Sequence, residues 1–465
     1  MAPADRRPEG AGAGFDDLDG ALRWLDGHID FESVTPSRRS LPTLDRMRAL
    51  VGVLGEPQTA APVVHVTGTN GKGSTAAMVT WLLLAHGLTV GTYASPNLVR
   101  VNERIQRNGE PIDDDDLLAL LATLARVEPM LDERPTRFEL LTAAAFLWFA
   151  DEAVDVVVLE VGLGGRWDCT NVADADVAVV TNISFDHTDV LGPTLVDIAT
   201  DKAGIFTPGC RAVVGETDPA LADLLRRAAL DAGATDVWLR GTAFGCRANR
   251  PAVGGRLVDV YTPSGTVDDV LVPLHGAHQG DNAAVAVAAV EAFFGAALDP
   301  GVVAEGLGAV RIPGRLEVGG HRPLVVLDGA HNVAGMRALA RALVEEFAVP
   351  GETVAVVGML RGRDPVAMLE ELLTAGVRSV VVCEPASPRA LPASVVAEAA
   401  TGLGMQAAVA PSVADALSDA MGAAGEDDAV VVCGSLYVVG GARVALGVGN
   451  RPSRGDLAGG APSMR

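Results

Sequence analysis

The stretch HVTGTNGKGSTAAM, residues 65–78, decides how the rest of the chain is read. It has the look of a phosphate-binding loop, with one departure. The familiar pattern sets Lys and Ser/Thr side by side after four free positions. Here Gly73 stands between Lys72 and Ser74, in the order Gly68, two residues, Gly71, Lys72, Gly73, Ser74. An apolar run ends at Thr67, and a helical pattern begins at Ser74 and runs to His86. A strand–loop–helix context of this kind suits a phosphate cradle, because backbone N–H groups point inward and the helix N-terminus adds positive potential. Lys72 would reach the terminal phosphates, and Ser74 or Thr75 would offer a hydroxyl to Mg²⁺. The plain alternative is a glycine turn capped by Ser74, but such a turn has no need of a lysine among three glycines. The loop alone specifies ATP or GTP handling and leaves the reaction open.

Around the loop, short Val-rich runs alternate with Ala/Leu-rich stretches. The runs at 61–67, 88–94, 154–162 and 175–183 suit strands buried on both faces of a parallel sheet. Helices are expected at 74–86, 115–133, 139–151 and 196–205. The pattern is α/β and doubly wound. Residues 240–275 change texture to short, glycine-broken segments expected to form an antiparallel patch, and a long helix follows at 278–295. A second βα series has strands at 322–329, 352–359, 377–384 and 428–434. Pro and Gly near Ile312–Gly314 mark the boundary. The expected organisation is a disordered lead (1–15), an N-terminal ATP-binding domain of the P-loop type (16–312), a smaller Rossmann-like C-terminal domain (315–449) and a disordered tail (450–465).

Composition narrows the class. The chain has 465 residues, 49% hydrophobic but only 4% aromatic, so a large core must be built from Ala, Val and Leu. No apolar run reaches the ~18 residues of a membrane span, and the first residues lack the apolar core of a signal peptide. Five scattered cysteines without a C-x-x-C pair argue for a reducing cytoplasm and against a zinc site or a disulfide framework. A formal net charge of −23 disfavours nucleic acid as a partner. An anionic ligand would need local positive groups set against that field.

Glu160 ends a buried run just before Gly162–Gly165, where carboxylates at strand ends face the ligand crevice. A buried lone carboxylate needs a cation, which favours a metal ligand over a structural acid. His187 also follows a strand, and on the residues alone a core histidine and a ligand are equally good readings. Lys202 would by default be a solvated helix lysine. Asp168 reads as a turn aspartate and Phe138 as a core aromatic. Arg100, Arg104 and Arg107 follow Ser95, where they could offset the acidic field.

Taken together, TGTNGKGST, YASPNLVRVNERI (93–105), LEVGLGGRWDCTN (159–171), SFDHTDVLG (184–192), DKAGIF (201–206), DGAHN (328–332) and GSLYVV (434–439) resemble one family. It is the folylpolyglutamate synthases, including the bifunctional dihydrofolate synthase/folylpolyglutamate synthases, within the Mur ligase superfamily. The resemblance runs in order from about 40 to 446, and G-K-G-[ST] is that superfamily's loop variant. It implies an ATP-dependent ligase adding L-glutamate to dihydropteroate and to folates through an acyl phosphate, working as a monomer with two Mg²⁺ ions. By the same resemblance, Thr69, Asn70, Gly71, Lys72, Gly73, Ser74 and Thr75 bind the nucleotide, with Asn282 beside it. Arg315 and His331 reach the phosphates, and Asp328 binds the ribose or orients the lid. Ser74, Ser95, Glu160 and His187 match metal ligands, Lys202 matches a lysine that is often carbamylated, and Phe138, Asp168 and Arg100 line the folate pocket. Lys72, Lys202, His187 and Arg315 form the implied catalytic set. Other readings are a monofunctional ligase, a cell-wall Mur ligase, and a nucleotide-binding regulator without catalysis.

Overall fold

The computed structural model describes residues 14–31 and 43–448. The expected lead, up to residue 13, and the expected tail lie outside them. By internal contacts the chain divides into two compact units. The first runs to Arg315 and also takes in Asn332–Phe347; the second comprises Leu316–His331 and the chain from Ala348 on.

The first unit is built on an eight-stranded sheet. Its strands are β1 (Val63–Thr67), β2 (Val90–Tyr93), β3 (Ile105–Arg107), β4 (Glu110–Pro111), β5 (Val156–Glu160), β6 (Val177–Val180), β7 (Arg211–Val214) and β8 (Asp236–Leu239). They lie in the order β4-β3-β2-β5-β1-β6-β7-β8. From β2 to β8 every pairing is parallel, and β1 sits between β5 and β6. The continuous apolar runs are explained by burial on both faces. Val64, Val66, Val156, Val158, Val177 and Val179 pack on one side with helices Lys72–Ala85 and Ala277–Phe294. On the other side Val63, Val157 and Leu159 meet helices Asp114–Val127 and Arg137–Asp151. Ala178, Val180, Ala212 and Val214 meet Leu195–Lys202 and Pro219–Asp231 on a further part of the sheet.

Some boundaries differ from expectation for local reasons. The helix expected from Ser74 begins at Lys72, because Gly71, in the left-handed region at φ 82°, already turns the chain. The helix expected to reach 133 stops at Val127, where Pro129 follows and only the short turn Glu128–Met130 continues. Strands β3 and β4, at the sheet edge, were not expected. They join through Asn108 and Gly109, both at positive φ (55° and 79°), which suits a two-residue hairpin turn.

The antiparallel patch is a three-stranded sheet of β9 (Gly245–Ala252), β10 (Gly255–Thr262) and β11 (Gly265–Val272). Arg256 on β10 is almost fully buried and pairs with buried Glu346. Glu346 also accepts hydrogen bonds from the Gly276 N–H at 2.9 and 3.0 Å, and its neighbour Phe347 packs on His275 with ring centroids 4.7 Å apart. These contacts tie the end of Asn332–Phe347 to the first unit.

The second unit is a six-stranded sheet: β12 (Glu317–His321), β13 (Leu324–Leu327), β14 (Thr353–Val357), β15 (Ser379–Val382), β16 (Gln406–Val409) and β17 (Ala429–Cys433). The order is β12-β13-β17-β14-β15-β16, parallel except for the β12 edge. Replacing Arg256 by Met should remove one partner of a buried pair and lower unfolding free energy by about 3 kcal/mol. Urea denaturation followed by circular dichroism would measure it.

Candidate active site

The site grows from the C-terminal end of β1, at the point where the strand order changes direction and crevices form. Gly68 stands at φ 148°, and a Cβ there would lie 1.8 Å from Thr181 Oγ1. At Gly71 a Cβ would lie 2.6 Å from Asn282 Oδ1. Both positions therefore require glycine. Gly73 answers for the departure in the motif: a Cβ there would lie 3.3 Å from Glu160 Oε2. The extra glycine lets the first helical turn lie directly against that carboxylate.

Side chains from the loop after β6 hold the cradle in shape. The Thr69 N–H donates to the Asn182 carbonyl at 2.8 Å, and the Asn70 N–H to Asn182 Oδ1 at 3.1 Å. Thr181 Oγ1 and Asn182 Nδ2 both donate to the Asn70 carbonyl at 2.7 Å. Lys72 Nζ folds back to the Thr69 carbonyl at 3.3 Å. Ser74 and Thr75 are buried in the first turn, and Thr75 Oγ1 has no hydrogen-bond partner.

Glu160, at the end of β5, is 5% exposed. Burial pushes its pKa up, and the Lys72 charge, the Ser95 N–H, Arg315 and Arg104 oppose that rise. The Ser95 N–H donates to Glu160 Oε2 at 3.2 Å. Lys202, expected to be solvated unless recruited, is 4% exposed and donates from Nζ to the Gly68 carbonyl at 2.8 Å. Burial, reinforced by the Lys72 charge, lowers its pKa to about 7.

His187 stands in the left-handed region at φ 50° and opens the short helix Thr188–Leu191. Its Nε2 lies 3.6 Å from Asp186 Oδ1. Asp186 is itself buried and accepts from Asn332 Nδ2 at 3.0 Å, and the same amide reaches Asn70 Oδ1 at 3.0 Å. Asn332, Asp186, Thr181 and Asn182 were missed in the sequence reading. The DGAHN and SFDH motifs contained the first two, but nothing in their spacing revealed a bond across 262 positions. Among the described residues no three His, Cys, Asp or Glu side chains converge on a metal position. The oxygens near the loop, a buried carboxylate and buried hydroxyls, suit a hard cation that keeps waters and leans on substrate phosphates.

A second group lies beside the cradle. Phe138 packs over Gly162, where a Cβ would lie 2.6 Å from Phe138 Cζ, and its ring is 5.9 Å from Tyr93. Asp168 spends both oxygens inside its own turn: Oδ2 accepts from the Leu163 N–H at 2.9 Å, and Oδ1 from the Thr170 N–H at 3.0 Å and Thr170 Oγ1 at 2.6 Å. Arg100 is exposed and paired with Asp114 at 2.5 Å. Arg107 pairs with Glu152 at 3.2 Å, whereas Arg104 is buried and holds Asn97 Oδ1 at 2.7 Å. Asn282 is buried against Gly71, and its Nδ2 donates to Gln279 Oε1 at 3.1 Å. Arg315 donates to the Gly314 carbonyl at 3.4 Å. In the second unit, Asp328 accepts from the Leu316 and Ala330 N–H groups, both at 2.9 Å, and His331 Nδ1 lies 2.8 Å from the Gly329 carbonyl.

Comparison with known proteins places this arrangement. Residues 66–290 match the Mur ligase middle domain and residues 314–436 the Mur ligase, glutamate ligase domain. A dihydrofolate synthase/folylpolyglutamate synthase from Mycobacterium tuberculosis is 39% identical over 451 residues, covering 89% of this chain and 91% of the relative. The chain belongs to the dihydrofolate synthase/folylpolyglutamate synthase family of Mur ligases. It is accordingly an ATP-dependent, amide-bond-forming ligase. Within the family, a folylpolyglutamate synthase structure from the same organism, complexed with ADP and AMPPCP, superposes with a TM-score of 0.85 at 37% identity, covering 94% of this chain and 99% of that one. A bifunctional folylpolyglutamate synthase/dihydrofolate synthase with Mn, AMPPNP and L-glutamate bound gives 0.81 at 31%, covering 95% and 100%.

Lys72→Ala should lower kcat by about a hundredfold or more, the usual loss when a positioned group on a developing charge is removed. Steady-state ADP release at saturating ATP would measure it, with circular dichroism unchanged.

Proposed function

We propose that this ligase joins L-glutamate both to dihydropteroate and to reduced folates at one site, through an acyl phosphate. The observation that carries the reading is the convergence of one phosphate loop, buried Glu160 and buried Lys202 at the end of β1, beside the turn that holds Asp168 and on which Phe138, from the helix Arg137–Asp151, packs at Gly162. The acceptor carboxylate oxygen attacks the γ-phosphorus of ATP, and ADP leaves. The glutamate amine then attacks the acyl carbon, phosphate leaves, and the amine gives up its proton. Lys72 offsets the charge on the transferred group, with Arg315 in the same role. Glu160, Ser74, Ser95 and His187 are assigned to hold two Mg²⁺ ions, whose chemistry is to neutralise phosphate charge. The enzyme is assigned as a monomer on its resemblance to the family. Relatives support the substrates: one solved neighbour is the E. coli enzyme in complex with DHPP and ADP.

Incubation with ATP, Mg²⁺ and glutamate, plus dihydropteroate or tetrahydrofolate, should give a product heavier by one glutamyl unit in each case, read by mass spectrometry. No product from dihydropteroate, with tetrahydrofolate readily extended, would leave a monofunctional enzyme.

Lys202 is assigned a carbamate. The chain has only two lysines, Lys72 and Lys202, so labelled bicarbonate can mark few amines. Carbamylation needs the neutral amine, and a pKa of about 7 makes that form grow as pH rises from 6 to 8. A ¹³C carbamate resonance should strengthen over that range and vanish in Lys202→Ala, along with most of the activity.

A further inference from the structure

The side chains of β1 that share a face with His65 do not simply fill a core. Thr67 Oγ1 donates to the Gly164 carbonyl at 2.6 Å, and His65 Nε2 lies 2.8 Å from Thr170 Oγ1. Both residues, and Thr170, are fully buried. The Thr170 hydroxyl can donate only once. At 2.6 Å from Asp168 Oδ1 it donates there when the carboxylate is ionised, so it accepts from His65 Nε2–H. That assignment leaves Nδ1 as the bare nitrogen, and Nδ1 is the atom with no partner. Burial holds the ring neutral, with its pKa pushed down to about 3. A chain of two hydrogen bonds thus runs from the strand that carries the phosphate loop to the carboxylate of the Gly162–Thr170 turn.

We infer that His65 and Thr170 are positioning residues for the acceptor acid, acting through Asp168 to fix the turn on which that substrate lies. The inference rests on the proposed folate reading of this turn. It assigns a job to a buried histidine in the middle of a Val-rich strand, where a branched aliphatic residue would pack without an orphaned nitrogen. The hydroxyl matters because it orients Asp168 at Oδ1, while Leu163 N–H and Thr170 N–H keep the carboxylate in place. The nucleotide loop has separate supports on Thr181, Asn182 and Lys202. Loss of the hydroxyl should therefore reach one substrate and spare the other.

Thr170→Val keeps the shape and removes the hydroxyl. It should raise the acceptor KM about tenfold, the size expected for losing a hydrogen bond to a charged group. The ATP KM should stay within about twofold, and Thr170→Ser should restore the acceptor KM. A purely structural role would move both KM values and the thermal midpoint together, and that result overturns the inference, as does an unchanged acceptor KM. If Thr170→Val fails to fold, His65→Gln carries the same readout: a raised acceptor KM with ATP KM unchanged supports the inference, and any other pattern overturns it. The wild-type enzyme serves as the separate control. Failure of wild type to glutamylate either acceptor would sink the proposed function itself, whereas an active wild type with unaltered variants would sink only the positioning role.

Discussion

A buried carboxylate at the end of a central strand must be held against its own desolvation, and the phosphate loop is arranged around that constraint. Glu160 is pushed toward its neutral form by burial, and the Lys72 charge is the strongest influence opposing that push. Gly73 lets that carboxylate approach closely, since a Cβ there would press on Glu160 Oε2 at 3.3 Å. Lys202 completes the balance from the other side. Its amine supports the Gly68 carbonyl, yet the neighbouring Lys72 charge and its burial make a full positive charge expensive there. In a chain of net charge −23 the positive charge at the loop therefore rests on Lys72 far more than on Lys202.

β1 bonds in two directions. Its last residues become the nucleotide cradle, while the buried side chains of His65 and Thr67 reach sideways to the Gly162–Thr170 turn. The turn is packed on the helix that bears Lys202: at Gly165 a Cβ would lie 2.7 Å from the Lys202 carbonyl oxygen. Strand, turn and helix therefore share close backbone contacts that leave little freedom for any one to shift alone.

The fold was legible where burial on both faces forced long continuous apolar runs, as at Val156–Glu160 and Val177–Val180, but the short interior strand Arg211–Val214 was missed. Short strands such as Asp236–Leu239 and Gln406–Val409 escaped because they are sheet edges with partly exposed residues and no long run. The hairpin at Asn108–Gly109 carried its turn signal openly, but each of its strands is too short to show a period. At the site, the phosphate loop was readable because its chemistry is local in sequence. The support from Asn332 to Asp186 was not, since it spans 146 positions and each residue alone reads as a turn former. Asp168 shows the same limit from the other direction. Its motif is plain, but the bonds that occupy both its oxygens depend on Leu163 and Thr170 in folded form.

Asp328 illustrates how a residue can serve the chain path as well as any ligand. The backbone leaves the first unit after Arg315 and re-enters it at Asn332. Leu316, the first residue past the first crossing, lies in the left-handed region at φ 47°, which costs a branched side chain energy unless its surroundings hold it. Its N–H donates to Asp328 Oδ2, and the other carboxylate oxygen takes the Ala330 N–H, two residues before the second crossing. Within the second unit, one buried carboxylate therefore ties the approach to β12 to the turn after β13. Ala348, at the third crossing, is also left-handed, at φ 42°. At Leu316 the left-handed backbone is held by a bond to Asp328, twelve positions further along the chain, and the second oxygen of the same carboxylate closes a local turn on Ala330.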